Sequence, residues 1–220
     1  MHDSFLVRLQ SLPLFQGMSV YDLMEICENI RFDFRRQPAG TTFVAFDAPC
    51  DRLIFVTEGT YSLCHESDDR RWYIDERMSR PAVFQPQRLF GLRTRFSYSV
   101  RAESDLNLII VSKDAVRDLL LPYPTFRLNF MNHICCAAQQ SERAAGRPSA
   151  VDLRRRFVQF VVRRCTTPAG EKTLRIRMTT LAEELLTTRL NVSRMLAELR
   201  KENLVETSRG KITIPDLSLL

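Results

Sequence analysis

Leu190, Arg194, Ala197 and Lys201 line up at spacings of four, three and four on one face of a helically spaced stretch, TTRLNVSRMLAELRKENLV (187–205), so that a leucine and an alanine rather than acids sit among the two cations. The opposite face carries Val192, Met195, Leu196 and Leu199 at spacings of three and four, the stripe a helix buries against a core. An outward row of cations without carboxylate partners is suited to pairing with an anion, for which the guanidinium fork offers two parallel hydrogen bonds. The net charge points the same way. Residues 151–220 hold 14 Lys+Arg against 8 Asp+Glu, while residues 1–150 hold 18 of each, so the whole formal charge of +6 lies in the last third. A basic module on a neutral body predicts a polyanionic partner, nucleic acid being the commonest.

Other chemistries find less support. The six cysteines (Cys27, Cys50, Cys64, Cys135, Cys136, Cys165) are scattered and form no C-x-x-C pair, so reduced buried thiols are expected and no metal site. With three histidines, one of them His2, and no nucleophile elbow, Walker loop or HExxH, no enzyme is expected. At 220 residues and 45% hydrophobic content, two domains are expected. No run approaches the roughly 20 apolar residues of a membrane span, and MHDSFLVRLQ lacks the order of a signal peptide. A cytoplasmic protein with no membrane partner is expected.

The elements that must position these groups follow from periodicity. A helical opening (FLVRLQSLPLF, SVYDLMEICENI) gives way after residue 40 to strand-like runs, TTFVAF, RLIFVTEG, YSLCH, RWYIDE, SYSVRAE and LNLIIVS, separated by turn chemistry. They predict a β-barrel or jelly roll over 1–112. KDAVRDLL is one helix, and TFRLNFMNHICCAAQQSERAA a longer one, within a helical and hinge region 113–147. Phe126, Phe130, His133 and Ala137 form one apolar row on the longer helix, and Met131, Ile134 and Ala138 a second. One row can pack on the barrel. The other needs a partner, which predicts a two-fold dimer seam built from this set. Over 148–220, Ser149 with Asp152 and Thr180 with Glu183 read as capping boxes, and NLVET, SRGK and ITIPD as a hairpin. Helix, strand, helix, turn, helix, hairpin is the layout of a winged helix-turn-helix. The fold class is α+β.

LAEELLTTRLNVSRMLAELRKENLV with SRGKITI resembles the DNA-binding module of the Crp/Fnr family. Leu181-Ala182, Arg189 seven residues on, and Ser193-Arg194 meet the family pattern, and the order barrel, long helix, module matches over nearly the whole chain. The resemblance implies a homodimeric transcription regulator on a palindromic double-stranded DNA site, with RNA polymerase as a further partner. It assigns Arg189 and Arg194 to base edges or phosphates, Thr188 and Ser193 to phosphates, and Arg209 and Lys211 to a wing on the backbone. Two departures stand out. Leu186 occupies the turn position where the family favours glycine, and Leu190 stands where an acidic base reader is frequent, so a thymine methyl replaces cytosine N4 as the group it can meet.

The effector pocket departs further. By register with Val100-Arg101-Ala102, the family's ribose-binding Gly-Glu falls on Gln85-Pro86 and its phosphate-binding pair on Phe96-Ser97. No charge remains there for a cyclic phosphate, although Arg88, Arg93 and Arg95 nearby could serve another anion. A regulator without cofactor and without response to cyclic AMP is therefore expected. Haem, used by some relatives, would have to draw on His65 or His133, for which a turn histidine and a seam histidine are the plainer readings. The alternative to a DNA-binding regulator is a protein-binding adaptor that has lost DNA binding.

Overall fold

The computed structural model describes residues 2–145 and 152–220, with side chains described for 5–142 and 152–220. Along the chain run α1 (His2–Ser11), α2 (Val20–Asn29), β1 (Asp33–Gln37), β2 (Thr42–Val44), β3 (Arg52–Glu58), β4 (Tyr61–Glu66), β5 (Trp72–Met78), β6 (Ala82–Val83), β7 (Ser99–Ala102), β8 (Leu106–Ser112), α3 (Lys113–Leu120), α4 (Pro124–Ala145), α5 (Leu153–Val162), β9 (Lys172–Ile176), α6 (Met178–Glu184), α7 (Arg189–Lys201), β10 (Glu206–Ser208) and β11 (Lys211–Ile214). The chain divides into two compact units, residues 1–61 with 79–139 and residues 62–78 with 140–220. No helix among the described residues is long and apolar enough to cross a membrane.

In the first unit the antiparallel order β1–β8–β3–β6 makes one sheet, and β2 pairs with β7. The strands form an open, jelly-roll-like arrangement and do not close into a barrel. β8 (LNLIIVS) is buried from Leu108 to Val111, which explains its unbroken apolar run. Phe15 packs against Phe55 and Phe126, with ring centroids 5.7 and 5.1 Å apart, so α4 is anchored to the β core through its inward row. The β3–β4 turn admits only glycine: Gly59 has φ +107, and a Cβ there would meet Asp105 O at 2.6 Å. Ser19 and Ser112 cap α2 and α3, their hydroxyls accepting from Asp22 N and Ala115 N at 3.0 and 3.2 Å.

The second unit is a sheet in the order β10–β11–β9–β5–β4 with α5, α6 and α7 packed on it. β5 runs antiparallel to β9 in the register Trp72↔Ile176 to Glu76↔Lys172, while β11 lies along the other edge of β9. Ile74 is thereby buried in one cluster with Phe157, Phe160, Leu174, Leu181 and Val192. α5 starts at Asp152, whose carboxylate accepts from Arg154 N and Arg155 N. The expected Ser149 cap lies outside the described residues.

Candidate nucleic-acid interface

α6 begins earlier than its expected capping box. Its N-cap is Arg177, and Thr180 lies inside the helix, buried, where its side chain cannot cap the end. The far end of α6 forms the turn. Leu186 N donates to Glu183 O and Thr187 N to Ala182 O, the paired reversal that places the residue after the C-cap in the left-handed region. That residue is Leu186, at φ +51 and exposed. An L side chain there costs about 1 kcal/mol relative to glycine. Arg156 of α5 holds the turn from behind, its Nη1 donating to Leu185 O at 2.6 Å and Leu186 O at 3.3 Å. Leu186→Gly should therefore stabilise the protein by about 1 kcal/mol, raising the melting temperature by about 3 °C in a thermal scan. An unchanged or lower Tm would mean that the turn stores no strain.

α7 follows directly. Thr188 is its N-cap, the hydroxyl oxygen accepting from Asn191 N at 3.3 Å, which fixes the first turn that carries Arg189 and Leu190. Val192, Met195, Leu196 and Leu199 are buried as the spacing predicts, and Arg189, Leu190, Ser193, Arg194 and Lys201 are exposed. Among the described residues no acid pairs with Arg189, Arg194, Arg209 or Lys211, whereas Arg71, Arg154, Arg164 and Arg175 of the same unit pair with Glu183, Glu202, Glu184 and Asp75. Arg209 and Gly210 form the two-residue loop between β10 and β11, and a cleft of about 230 Å³ lined by Ser193, Ala197 and Arg200 of α7 and by Thr207, Ser208 and Lys211 of the hairpin shows that helix and wing flank one recess. At 13 residues α7 is about 20 Å long, and an α-helix of ordinary diameter fits the roughly 12 Å major groove.

Of the residues expected in the effector pocket, Gln85 and Ser97 come together and satisfy one another. Gln85 is buried with φ +48; its Oε1 accepts from Ser97 N and Oγ at 2.7 and 2.8 Å, and its Nε2 donates to Tyr98 O at 3.3 Å. Pro86 and Phe96 are buried beside it, Arg88 is half-buried, and Arg95 donates to Asp47 Oδ1 at 2.7 Å. Along α4 the two apolar rows separate. Phe126 and Phe130 are buried in the chain's own core, a correction to their place in an outward seam, and His133 and Ala137 are half-buried on the same side, where burial lowers the His133 pKa. Leu128, Met131, Ile134 and Ala138 remain exposed.

Sequence reasoning missed a buried charged cluster. Glu76 on β5 is wholly buried. Its Oε1 accepts from Thr166 N and lies 2.7 Å from His65 Nε2; its Oε2 accepts from Thr167 N and Oγ1, both at 3.0 Å, and lies 3.2 Å from the equally buried Lys172 Nζ. Burial alone would push this carboxyl up, but the His65 hydrogen bond, the charges of His65 and Lys172 and the Thr166 N–H more than offset it and hold the pKa at about 2. His65, weighed above as a haem ligand, is thus engaged at Nε2 by a carboxylate. Among the described residues no group of three or more His, Cys, Asp or Glu is arranged to hold a metal ion.

Two family models match the chain: a cyclic nucleotide-binding domain over residues 34–123 and a Crp-like helix-turn-helix domain over residues 155–220. No curated protein matches it. Among solved structures, the catabolite activator protein of Thermus thermophilus is 18% identical with a TM-score of 0.50, covering 94% of this chain and 95% of its own. A transcriptional regulator of the Crp/Fnr family from Eubacterium rectale is 21% identical with a TM-score of 0.50, covering 96% of each chain. Identities this low show a shared fold, whereas the two domain matches, in this order and over well over half of the residues, carry the assignment. With its jelly-roll-like effector domain, long helix and winged helix-turn-helix, the chain belongs to the Crp/Fnr family of transcription regulators.

Proposed function

We propose that the protein is a homodimeric regulator that binds a palindromic double-stranded DNA site by inserting α7 into the major groove, with the β10–β11 wing on the adjacent backbone. The observation that carries this is that Arg189, Leu190, Ser193 and Arg194 are exposed at the start of α7 and neither arginine pairs with an acid among the described residues, whereas Arg71, Arg154, Arg164 and Arg175 of the same unit do. Arg189 and Arg194 offer bidentate donors to guanine or phosphate, Ser193 and the Thr188 hydroxyl donate to phosphates, and Arg209 and Lys211 neutralise backbone charge. Selection from random duplex DNA tests it. An enriched motif with two-fold symmetry supports the reading, and a protein that enriches no sequence is an adaptor instead.

The dimer rests on the exposed row Leu128, Met131, Ile134 and Ala138, 57%, 52% and 38% exposed at the first three, which is more apolar surface than one helix face ordinarily leaves to water. Ile134→Glu should give a monomer by light scattering, with at least tenfold weaker binding to a full palindrome. A dimer of unchanged mass places the seam elsewhere. Ile134 suits this test because it is exposed, whereas charge at Phe130 would disrupt the core.

No response to cyclic AMP follows from Gln85, whose amide already meets Ser97 and Tyr98, and from Phe96, which supplies no charge. Calorimetric titration should show no saturable heat in the micromolar range, and saturation there would overturn this part of the reading. Recruitment of RNA polymerase is the remaining expectation for a regulator of this class, and a pull-down with the purified polymerase tests it.

A further inference from the structure

The hairpin β4–β5 lies inside the sequence matched by the cyclic nucleotide-binding domain, yet it is built into the unit that carries the helix-turn-helix. Three separate contacts fasten it. At one end Glu76 accepts from Thr166 and Thr167, in the turn after α5, and pairs with Lys172 at the start of β9. In the middle, Trp72 packs edge-on against Phe160 of α5, with the Arg164 guanidinium 5.1 and 3.9 Å from the two ring centroids. At the tip Arg71 pairs with Glu183 of α6.

β9 is the strand on which recognition depends. It runs through Arg177 into α6, and β11 of the wing lies along one of its edges. β5 lies along the other. We propose that this hairpin is a working part of the DNA-binding unit and that Glu76 is a positioning residue for DNA recognition, holding β5 on β9 so that wing and recognition helix share one fixed pose. The proposal rests on the DNA-binding reading above. A carboxylate with five donors or cations around it and no exposure cannot shift without leaving several of them unpaired, so the hairpin is registered at that end by more than strand pairing. The hairpin is joined to the first unit at both ends, through residues 61–62 and 78–79.

The test uses the full-length protein and a labelled duplex carrying the motif that the parent selects from random DNA. Glu76→Gln keeps the shape but turns an NH2 group toward donors. It should weaken binding by the folded protein about tenfold while the slope of log affinity against log salt stays unchanged, because no phosphate contact is removed. Loss of active protein without change in the affinity of the remainder would show a merely structural role and overturn the proposal. Should Glu76→Gln fail to fold, Arg71→Ala at the exposed tip takes its place, with a three- to fivefold loss expected at unchanged melting temperature, and affinity within 1.5-fold of the parent overturns the proposal. A rescue makes the distinction sharper. Tyr73 and Arg175 stand opposite each other across β5 and β9, so Tyr73→Cys/Arg175→Cys added to Glu76→Gln should recover parental affinity when oxidised with glutathione disulfide and lose it on reduction. No difference between the two redox states overturns the proposal. A parent that selects no DNA at all fails the DNA-binding reading itself, an outcome separate from each of these.

Discussion

Lys172→Met should lower the stability of the protein by about 3 kcal/mol at neutral pH, the scale measured when one member of a buried ion pair is removed and the other is left uncompensated. Both side chains are fully buried, and Lys172 Nζ also donates to Thr167 Oγ1 at 3.1 Å and Ala169 O at 2.7 Å, so the substitution loses three contacts at once. The loss should shrink in acid. The Glu76 carboxyl titrates at about 2 in the folded protein and near 4.5 when unfolded, so its stabilisation is fully present above pH 4.5 and disappears as pH falls through about 2. Urea unfolding of parent and variant at pH 7 and pH 2.5 reads both effects. A difference that is the same at the two pH values would show that Lys172 stabilises through its hydrogen bonds to Thr167 and Ala169 and not through Glu76.

Arg189→Ala is expected to cost about 1–3 kcal/mol on the preferred site and to relax the preference at one base pair of each half-site. The residue opens α7, where side chains reach base edges most directly, and no acid competes for it among the described residues. Were it only a phosphate clamp, its removal would weaken all sequences equally and lower the salt slope by about one. Leu190→Glu should act differently. The new carboxylate accepts from cytosine N4 where the leucine packs on a thymine methyl, so preference at the adjoining position moves from thymine to cytosine while non-specific affinity falls. Parallel selections for the parent and the two variants at one salt concentration decide the matter; identical motifs from all three would mean that α7 reads no sequence.

The recognition face was legible because Leu190, Arg194, Ala197 and Lys201 repeat at four, three and four with no acid among them, and the strands because β3 and β8 carry unbroken apolar runs. β1 was not, since none of the residues of DFRRQ is buried and no alternation marks it. The division of the apolar rows on α4 followed from spacing, but which of them pointed inward depended on Phe15 and Phe55, far away in sequence. Least legible was Glu76. In WYIDERM the adjacent Asp75 and Glu76 both read as outward residues, and apart from His65 the groups that make the burial of Glu76 tolerable lie some 90 positions downstream. A separation of 30 residues likewise hides Arg156 behind Leu186: the turn's left-handed residue could be expected from the family pattern, its clamp could not.

The covering of β9 by β5 bears on where the molecule can be cut. A fragment beginning near residue 148 holds the whole helix-turn-helix in sequence but leaves β9 with a naked edge, the amide and carbonyl groups that face β5 unpaired and Lys172 without Glu76. Such an edge is a template for adding a strand from another molecule, so the fragment would be prone to aggregate. The separable piece is discontinuous, residues 62–78 together with 140–220. A chimaera that grafts this reading head onto another sensor must carry the hairpin with it, or supply one whose second strand ends in a carboxylate opposite Lys172.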